Sequence, residues 1–277
     1  MDGRDTITDQ VLTISVHLLD GRYHGAMDWP PSPFQLFQAL VAAAWTGREA
    51  NKREKLALDW LETLPPPAIL SPRAPRALQA KQTTTYYVPR NSADQCKGDR
   101  QKAAKMRDAK VSEPRLLQGE PVFQYLWNAE NADQFRSSLE PLVDRLYQLG
   151  RGVDMAYAHM DILNKQQEQH CIQNHPGITY RADSGRGNTT RCPQVGSLTS
   201  MIERHAAQRV RLENNTLTQA PKPSFVSVSY NSSPTWLLFD ILERGSGERY
   251  SPQPVCKVAA LVERIRDLLA GGLHALG

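Results

Sequence analysis

In residues 11–18, VLTISVHL, apolar and polar positions alternate from Leu12 onward. Leu12, Ile14, Val16 and Leu18 fall on one side, and Thr13, Ser15 and His17 on the other. A period of two predicts a half-buried β-strand. The DGRYHG run behind it is turn chemistry. The period then changes. In WPPSPFQLFQALVAAAW, Phe34, Phe37, Leu40, Val41, Ala44 and Trp45 recur at helical spacing. Ser32 is placed as the N-cap, Pro33 occupies the first helical position, and Gln35 completes a capping box. Gly47 suits the C-terminal cap.

A second helix is predicted over residues 50–64, with Leu56, Trp60, Leu61 and Leu64 on one side. Pro65, Pro66 and Pro67 end it, because proline cannot donate and clashes with the preceding turn. TTTYYVP at 83–89 and PVFQYLW at 121–127 read as strands. Phe135, Leu139, Leu142, Val143, Leu146 and Leu149 form a helical stripe, broken or kinked at Pro141 and closed by Gly150. VDMAYAHMDIL at 153–163 is a further strand. The order β-α-(α)-β-β-α-β is that of a ferredoxin-like, or RRM-like, unit. The fold class predicted is therefore α+β, with a core over residues 10–163 that carries long basic insertions. Residues 164–223 are polar, with TSMIERHAAQRVRL as a short helix. SFVSVSY and TWLLFDILE then form a second β pair, and VCKVAALVERIRDLLAGGL a terminal amphipathic helix.

The 277 residues suffice for one large or two modest domains. Mean hydropathy is −0.51, and no apolar run nears the roughly 18–20 residues of a membrane span. The opening MDGRDTITDQ has no apolar h-region. The cysteines, Cys96, Cys171, Cys192 and Cys256, form no CxxC pair, which fits a reducing compartment. These features lead to the expectation of a soluble, cytoplasmic protein that does not engage a membrane. The formal charge of +4 does not by itself imply nucleic acid. Its distribution says more, because residues 96–111 hold six Lys or Arg against two Asp. Residues 173–215 add six Arg and two His against Asp183, Glu203 and Glu213.

Aromatic residues lie near these basic stretches: Tyr23, Trp29, Tyr86, Tyr87 and Tyr180. Cations neutralise phosphates and aromatic faces stack unpaired bases, so the combination suits single-stranded RNA. The alternative is a solvated loop with tyrosines in the core. Tyr86 and Tyr87 are adjacent, so at most one of them enters the core through its own sheet. His170, Cys171, His175 and Cys192 are metal-ligating types, but their spacing matches no common zinc finger, and no metal or other cofactor is expected. SGRGNTT at 184–190 lacks the spacing of a phosphate-cradling P-loop. A metal-independent ribonuclease needs only a His or Tyr beside a cation, and Arg22, Tyr23 and His24 form the best-placed trio. In that reading His24 and Tyr23 are the catalytic candidates; otherwise the loop binds or packs.

Four segments together resemble one family: LTISVHLLDGRYHG at 12–25, WPPSPFQLFQALVAAAW at 29–45, TTTYYVPRN at 83–91 and LYQLGR at 146–151. In this order they resemble the type I-G (formerly I-U) CRISPR effector subunit, which fuses a Cas-five-like part to a Cas-six-like part. The resemblance is strongest over residues 11–163 and covers the Cas-five half. It implies an RRM-like subunit that grips the 5′ handle of the CRISPR RNA (crRNA) and caps the backbone filament of Cascade, the surveillance complex of this antiviral defence. The implied partners are crRNA, the backbone and large subunits, and a Cas-six-type processing subunit or domain, with target DNA reached through the complex. The chain ends where the Cas-six part is expected to begin, so no nuclease is expected. A repeat-cleaving endoribonuclease and a protein-only structural adaptor are the alternatives. The expected organisation is an RRM-like RNA-binding domain over residues 1–163. Residues 164–277 then hold the basic insertion, the second β element and the C-terminal helix packed on the first domain. The candidate RNA-binding residues are Arg22, Tyr23, His24, Trp29, Tyr86, Tyr87, Arg90, Lys97, Arg100, Lys102, Lys105, Arg151 and Arg186. One basic insertion, 96–111 or 164–223, is expected to form a thumb-like protrusion.

Overall fold

The computed structural model describes residues 10–25, 29–46, 50–74, 84–89, 99–183, 188–214, 221–232, 257–260 and 262–263. The chain divides into two compact units, 1–233 and 234–277. In the second unit the described residues are helical. All that follows concerns the first.

Its centre is a seven-stranded sheet, antiparallel at every pairing. The strands are β1 (Val11–Leu18), β3 (Ala68–Ser71), β7 (Val122–Asn128), β8 (Ala156–Leu163), β9 (Ile178–Ala182), β10 (Asn188–Cys192) and β11 (Val226–Ser232). Their order across the sheet is β10-β11-β9-β3-β7-β1-β8. Two small ribbons stand outside it: β2 (Arg22–Tyr23) with β6 (Arg115–Leu116), and β4 (Thr84–Pro89) with β5 (Arg107–Ser112). The helices are α1 (Pro33–Ala44), α2 (Lys52–Leu61), α3 (Arg100–Lys105), α4 (Ala132–Asp144), α5 (Lys165–Asn174) and α6 (Ser197–Asn214).

The predicted start of α1 forms as read. The Ser32 hydroxyl accepts from the Gln35 amide at 3.2 Å, and Gln35 Oε1 accepts from the Ser32 amide at 2.8 Å. Leu12, Ile14, Val16 and Leu18 of β1 face one core with Phe34, Phe37 and Leu40 of α1, Leu58 and Leu61 of α2, and Leu139, Leu142 and Val143 of α4. Helix α4 runs through Pro141 rather than breaking there. Leu56, grouped by spacing with the inner side of α2, is exposed.

Strand β1 is not half-buried. Thr13 and Ser15, on its polar side, are 5% and 3% exposed. Part of this second sheet face is covered by α5, whose Cys171 and Ile172 pack on Val11, Leu70 and Leu126. The remainder carries Ser15, His17, Gln124, Tyr157 and His159, joined across β7, β1 and β8.

Three expectations need correction. The strong β run at 83–89 does not enter the main sheet; residues 84–89 pair only with β5. Its place beside β7 is taken by β3, four residues wedged between Pro67 and Pro72, too short to show a period. The basic stretch 96–111, a solvated loop in the alternative reading, is mostly α3 and β5. The described part of residues 164–223 is also structured: β9 and β10 extend the sheet past β3, and the polar sequence reflects an exposed outer half. The first strand of the later β pair is β11, between β9 and β10; TWLLFDILE lies outside the described residues.

Candidate nucleic-acid interface

The GRYHG turn is tied to the loop after α4 by one carboxylate. Asp154 Oδ1 accepts the His24 backbone N–H at 2.9 Å, and lies 2.8 Å from His24 Nδ1. Its other oxygen, Oδ2, accepts the Arg151 N–H at 3.2 Å. The Asp154 side chain is fully enclosed, whereas 16% of the His24 side chain reaches solvent. Two of the family-like segments, 12–25 and 146–151, thus converge on a residue that the sequence reading passed over. Nδ1 faces the carboxylate, so Nε2 is the ring nitrogen turned away from it. Arg22 and Arg151 flank the junction in sequence and are both exposed.

Tyr23 is a correction. It is fully buried, with Trp29 and Phe123 at ring-centroid distances of 6.0 and 5.9 Å, and its hydroxyl donates to Gln35 Oε1 at 3.2 Å. No ring face is left to stack a base. Its packing also explains two glycines. A Cβ on Gly25 would lie 2.1 Å from the Tyr23 hydroxyl, and Gly150, at φ +97°, has the same ring 3.1 Å from its Cβ position. Trp29 is half-buried and already carries the Arg115 guanidinium 5.0 Å from its ring centroid. Tyr180 is a core residue, and burial pushes its hydroxyl above the ordinary range.

The β4–β5 ribbon behaves differently. Tyr86 and Tyr87 are 51% and 68% exposed, so neither enters the core. Tyr86 pairs across the ribbon with Lys110, and Pro89 with Arg107. Helix α3 immediately precedes β5 and brings Arg100, Lys102 and Lys105, all exposed. Arg90, Lys97 and Arg186 lie outside the described residues.

The four zinc-type residues are committed elsewhere. His170 Nδ1 lies 3.1 Å from Asn174 Nδ2, and His175 Nε2 lies 3.1 Å from the Ser71 carbonyl. Cys192 is buried against the Tyr230 hydroxyl, and burial pushes its thiol up to about 11. Among the described residues no group of three or more His, Cys, Asp or Glu is placed to hold a metal ion. Nor is any helix among them long and apolar enough to cross a membrane. The second sheet face holds further polar rings that the sequence reading left unassigned, His159 and Tyr157 beside His17. Their signal was present in the alternation of β8, where Tyr157, His159 and Asp161 are exposed between buried neighbours.

The fold and these surfaces define a mixed α+β protein with an antiparallel sheet and a projecting cationic, aromatic ribbon. The family model described as "CRISPR-associated protein, GSU0054 family" matches residues 1–235, and the chain belongs to that family. A crystal structure of a CRISPR protein from Archaeoglobus fulgidus is similar at a TM-score of 0.31 and 10% identity, over 66% of this chain and 77% of that one. No curated protein matches.

Proposed function

We propose that the chain is a non-catalytic, crRNA-binding subunit of a type I-G Cascade complex, gripping the 5′ handle and capping the backbone filament. Its partners would be the backbone and large subunits and a Cas-six-type processing subunit or domain, with target DNA met through the assembly. The observation that carries this reading is the β4–β5 ribbon. It offers two exposed tyrosines, Tyr86 opposite Lys110, with Arg107 further along β5 and the cations of α3 just before β5 in the chain, which is the stacking-plus-phosphate chemistry of single-strand binding. Membership of a CRISPR-associated family agrees with it. So does the sub-order β8-β1-β7-β3, with α1 and α2 between β1 and β3 and α4 between β7 and β8, which supports a ferredoxin-like core.

The test is fluorescence anisotropy of the purified chain with labelled repeat RNA, its handle intact or scrambled. Preference for the intact handle supports the reading; equal affinity for both overturns the handle assignment. If about five phosphates are neutralised, log affinity falls against log salt with a slope near −3.5. A flat slope removes the electrostatic argument.

A second reading is favoured by one observation. His24 is held by an enclosed carboxylate, which orients an imidazole for proton transfer at Nε2. A metal-independent repeat endoribonuclease would use it to take the proton of a 2′-hydroxyl as that oxygen attacks the adjacent phosphorus, forming a 2′,3′-cyclic phosphate while the P–O5′ bond breaks and the 5′-oxygen leaves with a proton from water. Cleavage that persists in chelator and disappears in His24→Ala would establish that reading. Binding to protein partners with no RNA affinity would point to the adaptor.

A further inference from the structure

The second sheet face holds a cavity of about 560 Å³ at the end of β1. Its floor is His17, Val122, Gln124 and His159. Its walls come from three connections: Pro72–Arg73 after β3, 118–120 before β7, and 175–177 between α5 and β9. These walls are tied to one another. The Gln118 N–H donates to the Arg73 carbonyl at 2.9 Å, and Arg73 Nε donates to the Pro176 carbonyl at 3.4 Å. At Gly177 the backbone approaches so closely that a Cβ would meet the Ser71 carbonyl oxygen at 2.0 Å. The cavity is thus formed by the fold rather than by loosely placed side chains.

Its chemistry is selective. The His17 ring lies flat on Tyr157, with centroids 4.6 Å apart and planes 6° off parallel, and His159 is 5.0 Å away. His17 Nε2 is buried and has no hydrogen-bond partner among the described residues. A buried nitrogen in that state calls for a ligand or a water. Desolvation, with His159 nearby, lowers the His17 pKa, so the ring is neutral at pH 7 and has one donor and one acceptor. Gln118 and Gln124 add amides, which both donate and accept, while Val122, Pro72 and Pro176 supply apolar walls. Neutral hydrogen-bonding edges between flat or apolar surfaces match a nucleobase, and the volume lies within the range of about 300–1,000 Å³ typical of small-ligand sites. A bare anion would need more cations than Arg73 and would meet Glu120.

We infer that this cavity receives a single splayed-out base of the bound RNA strand, read on its hydrogen-bonding edge by Gln118, by His159 and by Gln124, whose Nε2 already donates to Ser15 Oγ at 3.2 Å. The inference rests on the RNA-binding reading and adds a base-specific subsite on the sheet face away from the α1–α2–α4 layer.

The experiment is an abasic scan. Labelled repeat RNAs, each lacking one base, are titrated against the full chain and against His159→Ala. His159 is exposed, so the variant keeps the fold, which a thermal melt checks. The expected result is one position whose base removal weakens wild-type binding about ten-fold and has no effect on His159→Ala. Binding of RNA with no position so coupled overturns the subsite and leaves the RNA reading intact. Failure of wild type to bind any of the RNAs overturns both. Free 5′-mononucleotides are titrated in parallel. Protection of wild type alone in the melt, without a coupled strand position, would assign the cavity to a free nucleotide and overturn the strand as its source.

Discussion

Replacing Asp154 by Asn removes the charge that pins the GRYHG turn while keeping the shape of the side chain. Wild-type Oδ1 receives two donors from His24, and Oδ2 receives the Arg151 N–H. An amide has only one carbonyl oxygen. If that oxygen stays with His24, the new NH2 faces the Arg151 N–H, and a buried donor is left unsatisfied at about 1–3 kcal/mol. The two bonds from His24 also change from charge-assisted to neutral, a loss of about 1 kcal/mol each. Because the carboxylate is fully enclosed, solvent does not screen these terms. The expected destabilisation is about 3–5 kcal/mol, a large part of the roughly 5–15 kcal/mol typical of a folded domain. Urea unfolding followed by tryptophan fluorescence reads it, since Trp29 packs on Tyr23 beside the turn. With a slope of about 2–3 kcal/mol/M, the midpoint should drop by about 1–2 M. His24→Ala keeps both backbone donors to the carboxylate and should cost less. A midpoint within about 0.3 M of wild type at unchanged slope would refute the reasoning, because it would mean that the carboxylate is solvated and the turn untethered.

Other outcomes follow from the same structure. Tyr86→Ala and Tyr87→Ala should each leave stability within about 0.5 kcal/mol and weaken repeat-RNA binding about ten-fold; a stability loss with unchanged affinity would make them packing residues. Glu62 accepts the Gly196 and Leu198 N–H groups at 2.8 and 2.7 Å, at the start of α6. Glu62→Ala should therefore cost about 3 kcal/mol in urea unfolding, and an unshifted midpoint would show that the cap carries no energy. The pKa of His17 is lowered on folding by desolvation and by His159. The unfolded chain therefore takes up the proton first as pH falls below the ordinary value of 6.5, so stability drops through that window. His17→Gln should flatten the fall in melting temperature between about pH 7.5 and 5.5; an equal slope in both proteins would rule His17 out as its source. Burial holds the Cys192 thiol protonated, so iodoacetamide at pH 8 should label the partly exposed Cys171 and spare Cys192, as read by peptide mapping.

The elements legible from sequence are those whose partners are local. The strand at β1 and the Ser32–Gln35 capping box are properties of a few consecutive residues, and both form, although the polar side of β1 is buried as well. What escaped was set by distant partners. β3 is four residues long and joins the sheet through β7 and β9, not through any pattern of its own. The 84–89 run has a stronger β signal than β3, yet it pairs away from the core, so both tyrosines remain outside. The alternation of β1 carries no sign that its polar side is covered, because α5, which covers part of that face, lies some 150 residues later. At the candidate site, His24 and Arg151 were visible as residue types. Asp154, which joins them, was one carboxylate among 29 acidic residues, 130 positions from its partner. Tyr23 was visible but misplaced, because an aromatic in a glycine-rich turn carries no mark of which way it points.

The junction between β3 and β9 has a mechanical consequence. Only three residue pairs cross it, Ile69↔Tyr180, Leu70↔Thr179 and Ser71↔Ile178, as few as at the adjoining β3–β7 and β9–β11 ladders, whereas β1 pairs along its whole length with β8. The ladder alone would make this a line of weakness down the middle of the sheet. Side chains rivet it instead: Tyr230 donates to the Pro67 carbonyl at 2.8 Å, His175 meets Ser71, and Glu62 grips the start of α6. These contacts, with the shared core in which Tyr180 and Tyr230 pack with Ile69 and Tyr125, join the two halves of the sheet into one cooperative unit. Amide exchange in β9, β10 and β11 will report on the rivets rather than on the strands themselves.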